Sequence, residues 1–281
     1  MIGALLGLVA ALAYGSSDFV AGVAGRRSPV LYVTAVTLVV GFVFGAVTLM
    51  FAHGSGPACA PLLWGAISGV GSALGTLALY QGFAVGSMSV VATVSGVLTV
   101  AIPAVVGVAI GNRLSPLGVA GVIAAIVAVA LVSWAGGGLR AGGALYGVGA
   151  GAGFALLFIA LERAGTAAGV WPVVTGQLVA CLVIAPFLLV PLWRGGTPSA
   201  RTPARGSLRL PALAGVLAAV AAIAYSAGTG EGELVVIAVI TSMYPAVTVL
   251  LARIVLKERW SRLQSTGLVL SAASVAVIAL S

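Results

Sequence analysis

The chain is 281 residues long, 61% hydrophobic and 6% charged, with a mean hydropathy of +1.24. Soluble domains carry about a quarter charged residues, so this composition excludes a soluble globular domain and requires lipid to solvate the apolar excess. The net charge of +8 comes from twelve arginines and one lysine against five acids, nearly all between apolar stretches. That placement reads as membrane topology information, not as the basic face of a nucleic-acid binder.

A spanning helix needs about 20 mostly apolar residues, and ten such stretches follow one another: 2–24, 30–51, 62–83, 87–110, 116–134, 144–161, 171–192, 211–228, 234–256 and 263–280. The first carries Gly7, Ala11, Tyr14, Asp18 and Gly25 on one small, polar stripe, with Ser17 beside them. An acid inside a membrane segment is a candidate functional group. Asp18 either carries a proton or contacts a substrate cation, or it pairs structurally with Arg26 and Arg27 about two turns away. The third stretch sets Ser68, Ser72, Thr76 and Tyr80 at four-residue steps with Gln81 adjacent, and the fourth offers Thr93, Ser95, Thr99 and the interior Pro103. The sixth begins with glycines 147, 149, 151 and 153. With no preceding strand and no downstream acid, these suit close helix packing, not a dinucleotide loop. Phe154 and Phe158 follow in the same stretch. The seventh supplies Gln177, the eighth Tyr225 and Ser226, and the ninth Thr241, Tyr244, Pro245 and Thr248. Together these residues suit a mostly apolar cavity with a few hydroxyl, amide and aromatic contacts, and Pro103 and Pro245 suit bends at a gate.

The chain also contains itself twice. Residues 78–133 laid on 224–279 coincide at eleven positions without a gap, including Gly82/Gly228, Gly86/Gly232 and the shared Arg-x-Ser-x-Leu spelling at 113–117 and 259–263. The halves are residues 1–134 and 144–281, joined by a linker at 135–143. Five helices per half is odd, so the second half is expected to be inverted, with a site at the repeat interface. The expected fold is therefore an all-α integral membrane protein of ten transmembrane helices in two inverted five-helix repeats. Loops after odd-numbered helices hold eleven of the thirteen basic residues, which places those loops in the cytoplasm and both termini outside. The Arg-rich segment 193–209 reads as a solvated loop.

Nothing here composes an enzyme. The one histidine, His53, lies in a loop, no cysteine or acidic cluster suggests a metal or cofactor, and no phosphate-binding loop supports ATP-driven transport. Two classes remain. One is a secondary transporter of a small molecule in the bilayer; the other is a non-transporting scaffold or lipid-handling subunit.

Ten helices in two halves, Lys257-Glu258-Arg259 with Trp260 and Ser261, Tyr244-Pro245 upstream, and Tyr14-Gly15-Ser16-Ser17 resemble the EamA-type branch of the drug/metabolite transporter superfamily. Tyr14 stands where that family usually has Trp, Asn112 where its first repeat often has Glu, and Thr99 lacks the matching proline. The resemblance implies a multi-pass inner (plasma) membrane permease, often an exporter of amino acids or other small metabolites. It would work by alternating access, with helices 1, 3, 4, 6, 8 and 9 around a central cavity. Glu258 is expected to cap a loop or pair with a nearby arginine.

Overall fold

Lipid offers backbone N–H and C=O groups no partner, so spanning segments must satisfy them internally. Every regular element among the described residues is accordingly an α-helix. The structure, a computed structural model, describes residues 2–50, 59–110, 115–135, 143–165, 168–193, 208–231, 240–241 and 243–279. Ten helices lie within them: α1 (Ile2–Arg27), α2 (Val30–Leu49), α3 (Cys59–Val85), α4 (Met88–Ala109), α5 (Pro116–Ala135), α6 (Ala144–Ala164), α7 (Trp171–Trp193), α8 (Arg209–Glu231), α9 (Tyr244–Val255) and α10 (Arg262–Ala279).

Over their described residues, α1–α4, α6 and α7 are long and apolar enough to cross a membrane; α5, α8, α9 and α10 are shorter apolar helices. The boundaries follow local chemistry. α1 outruns its expected end because Arg26 and Arg27 in its last turn favour the negative helix terminus, and it stops before Pro29, where the preceding residue disfavours helix. Ser87 caps α4, its side chain accepting the Val90 N–H, so only Gly86 and Ser87 join α3 to α4. The ninth apolar stretch differs most. Its residues 234–239 lie outside the described residues, and α9 begins at Tyr244 with Pro245 in its first turn. Pro245 thus starts a helix instead of bending one, at a position where its missing N–H is not needed. Pro103 does sit inside α4.

The closest packing runs between the first five helices and the last five. An added Cβ on Gly153 of α6 would lie 2.6 Å from the Gly75 backbone and 2.8 Å from the Gly71 carbonyl oxygen, both in α3. Gly65 and Gly69 of α3 meet the backbones of Pro172 and Gly176 in α7. Gly147 and Gly151 seat α6 on Val91, Val94 and Ser95 of α4, and Gly121 and Gly267 bring α5 and α10 together. Side chains then tie α1 and α2 to the later helices: Ser17 donates to the Ala214 carbonyl at 2.7 Å and Thr37 to the Pro211 carbonyl at 3.2 Å. Large apolar side chains such as Leu5, Val43, Ile126, Phe187 and Val269 are exposed on the outside, as a lipid-facing surface requires.

Gly153 and Gly149 give a matched test. A Cβ at Gly149 would meet only the Ala78 Cβ at 3.6 Å, an ordinary contact. Gly153→Ala is expected to lower stability in detergent by about 1–3 kcal/mol, as overpacking does, while Gly149→Ala stays within about 0.5 kcal/mol. Thermal unfolding of the two purified variants checks this.

Candidate substrate site

The stripe on α1 turns inward. Tyr14 and Asp18, one helical turn apart, are both half-buried, and the Tyr14 ring lies 6.1 Å from that of Tyr244 at 59°. Asp18 is in electrostatic range of Tyr14, of Tyr80 on α3 and of Tyr244 on α9, and Tyr225 on α8 is in range of Tyr14. Helices α1, α3 and α9, drawn from both halves, therefore meet around one carboxylate, and α8 reaches Tyr14 beside it. Their approach is set by Gly15, where an added Cβ would fall 2.5 Å from the Tyr244 carbonyl oxygen. Thr248 on α9 donates its hydroxyl to the Gly15 carbonyl at 3.0 Å, and Thr241 donates to Gly7 at 3.4 Å.

Two of these tyrosines stand beside threonines. Tyr80 lies in interaction range of Thr37, whose hydroxyl donates to the Pro211 carbonyl. Tyr244 lies in interaction range of Thr99, whose hydroxyl donates to the Ser95 carbonyl at 2.8 Å. Among the described residues no hydrogen bond or ion pair reaches Asp18. Arg26, one of its two expected partners, is engaged with the Phe83 and Gly86 carbonyls and with Glu258. Asp18 is thus enclosed by protein, retains some accessible surface, and has no donor of its own.

The other sequence candidates fall in several places. Phe154 packs beside this centre, against the core that holds Phe19, Tyr80 and Phe83, and Gln81 is half-buried next to Tyr80. Ser17 and Thr241 use their hydroxyls to join helices. Ser95 is 1% exposed, and its hydroxyl oxygen has no partner among the described residues. Gln177 lies between α7 and α2, against Gly41 and Gly45, away from the tyrosines. Phe158 is 51% exposed, and the Pro245 ring packs on Gly96 of α4.

A second polar centre sits at one end of the bundle. Glu258, in the α9–α10 loop, accepts from the Met88 N–H at 2.9 Å, the Ser89 N–H at 3.2 Å, the Ser89 hydroxyl at 2.7 Å and the Ser87 hydroxyl at 3.0 Å. It caps the N-terminus of α4, where the helix dipole favours an anion, and lies 3.6 Å from the Arg26 guanidinium. Trp260 donates its indole N–H to the Ser89 hydroxyl at 3.1 Å. Both expected roles of Glu258, cap and arginine partner, are present. Sequence reading did not find Ser87, Ser89 or Thr37; the Ser-Met-Ser opening of α4 is a capping signature that could have marked the first two.

An all-helical bundle of apolar helices around an enclosed carboxylate is the architecture of a multi-pass membrane protein. The model of the EamA-like transporter family matches residues 141–280, and the chain belongs to that family. The protein is therefore a transporter of the drug/metabolite transporter type, a class that handles small-molecule substrates in a lipid environment. A solved structure described as "Crystal structure of protein" is similar over 99% of this chain and 96% of its own, at 19% identity and a TM-score of 0.60. At that identity the likeness shows the fold alone. No curated protein matches.

Burial pushes the Glu258 carboxyl up, but the hydrogen bonds from Ser89, Met88 and Ser87 outweigh it and hold it below the usual glutamate value. A depressed folded-state value means stability that is present above about pH 4.3 and lost as pH falls through the folded value. Glu258→Gln is expected to unfold more easily by about 2 kcal/mol at pH 7, as loss of charge-assisted hydrogen bonds does. The gap should close as the wild type is taken below pH 4. Melting temperatures of both proteins across pH 3–8 measure it.

Proposed function

We propose that the chain is a secondary transporter, an exporter or permease, of a small metabolite such as an amino acid or a drug-like solute. It works by alternating access about a midplane site between two inverted five-helix repeats. The observation that carries this reading is Asp18: a carboxylate reached by tyrosines from both halves, half-buried in the bundle and without a hydrogen-bond donor among the described residues. A buried carboxylate without a partner is costly, so the site favours occupancy by a proton or by the cationic group of a substrate. Tyrosine faces nearby suit the same positive charge. Tyr14, Tyr80, Tyr225 and Tyr244 line the site in this reading, with Gln81 and Phe154 at its edge.

Helix packing supports the repeat. Exchanging each helix for the one five later turns the α3–α6 contact into α8–α1, α3–α7 into α8–α2 and α4–α6 into α9–α1, and all six contacts are present. The α2–α7, α4–α9 and α5–α10 contacts map onto themselves. A two-fold axis in the membrane plane would relate the halves in this way. In the proposed orientation the odd loops face the cytoplasm of the inner membrane and both termini lie outside.

With alternating access, the Glu258 centre closes the end that carries the α1–α2, α3–α4 and α9–α10 loops. Its partner position under the repeat is Asn112, which lies outside the described residues. Asparagine cannot supply a carboxylate, so the two ends would be held shut unequally.

Liposomes with an imposed pH gradient test the reading against a panel of amino acids, amines and aromatic solutes. Wild-type protein is expected to accumulate at least one, and Asp18→Asn to lower its gradient-driven accumulation tenfold or more, while Glu162→Gln at the end of α6 has little effect. If no solute moves, or Asp18→Asn transports as well as wild type, this reading is wrong.

A further inference from the structure

Beside the Glu258 cap lie two hollows that share one wall. An apolar crevice of about 320 Å³ runs between α4, α9 and α10, lined by Val97, Val249, Leu250, Leu268, Val269 and Trp260 among others. Its flank is open to the outside of the bundle, since Leu250 is 53% and Val269 72% exposed. The second hollow, about 380 Å³, is lined by Arg253, Lys257, Glu258, Arg259 and again Trp260. It stands at the end of the helices, where a spanning chain meets the membrane surface, with the indole at the boundary where tryptophan is favoured.

The charges here are uncompensated. Glu258 has both oxygens occupied by α4 and Arg26, and among the described residues no carboxylate pairs with Arg253, Lys257 or Arg259. Arg253 is held over the Trp260 ring, 4.3 Å from its centroid, which fixes a guanidinium at the junction of the two hollows. Lys257 takes a positive φ of 54°, the only non-glycine among the described residues to do so. That conformation costs about 1–2 kcal/mol outside glycine. The turn it makes lets Glu258 face α4 while Lys257 and Arg259 remain exposed.

We propose that this corner binds one anionic phospholipid, its phosphate headgroup among Arg253, Lys257 and Arg259 and one acyl chain in the crevice along Val249, Leu250 and Val269. A free phosphate would satisfy the cations and leave the crevice empty. A neutral lipid would fill the crevice and leave the cations unmatched. Only an anionic lipid matches both, and basic pockets at helix ends are where such headgroups are held. The bound lipid would bridge α4 of the first half to α9 and α10 of the second, at the end that Glu258 fastens. This site is separate from Asp18 and does not rest on what the protein transports.

The test uses full-length protein in uncharged detergent, with phosphatidylglycerol, phosphatidylcholine and glycerol 3-phosphate as probes. Native mass spectrometry reads retention, and thermal unfolding reads the shift on binding. One equivalent of phosphatidylglycerol is expected to be retained and to raise the melting temperature, with little effect from the other two probes. Lys257→Gly, which also relieves the positive φ and so keeps the fold, should weaken binding about fivefold; adding Arg259→Ala should bring the loss to about twenty-five-fold. Ala272→Phe, which fills the crevice and keeps every charge, should weaken retention likewise. Equal retention of phosphatidylcholine, equal binding of glycerol 3-phosphate, or full affinity in these variants would each overturn the proposal.

Discussion

In a bilayer no hydrophobic force draws one helix to another, because lipid tails are as apolar as leucine. Cohesion must come from how closely backbones approach, and here glycine sets that limit. Gly153 lies on Gly75, Gly69 on Gly176 and Gly15 on Tyr244, each with no room for a methyl group. Where backbones come this near, a side chain can reach a neighbouring helix's carbonyl, as Ser17, Thr37 and Thr248 do. The polar centre depends on the same constraint. Tyr14 and Tyr244 meet because Gly15 lets α1 and α9 touch.

The two polar centres are satisfied in opposite ways. Glu258 takes four hydrogen bonds from α4 and an arginine alongside, as a structural carboxylate should. Asp18 has tyrosines around it and, among the described residues, no hydrogen bond or ion pair. The bundle thus satisfies one acid fully and, among the described residues, leaves the other without a partner.

Much of this was legible in the sequence. Ten apolar stretches became ten helices, and the small-polar stripe through Tyr14 and Asp18 does face inward, because helical period and lipid solvation leave few alternatives. The sequence could not tell which hydroxyls serve the cavity and which serve packing. Ser17, Thr241 and Tyr80 share the same composition signal, yet two bond helix carbonyls and the third stands beside the acid; only three-dimensional register separates them. Gln177 and Phe158 lie away from Asp18 for the same reason. Pro245 looked like an interior kink because the apolar run extends past it on both sides, although proline also suits the first turn of a helix, where it stands in α9.

The first helix of each half keeps little company with its own half. α1 lies mainly against α8 and α9, and α6 against α3 and α4. The hydroxyl bonds of Ser17, Thr241 and Thr248 all join α1 to residues of the second half, Ser17 donating from α1 and the two threonines donating to it. The main packing of α1 and α6 therefore crosses between the first five helices and the last five. A chain cut between residues 134 and 144 would therefore leave the first five helices and the last five still interlocked.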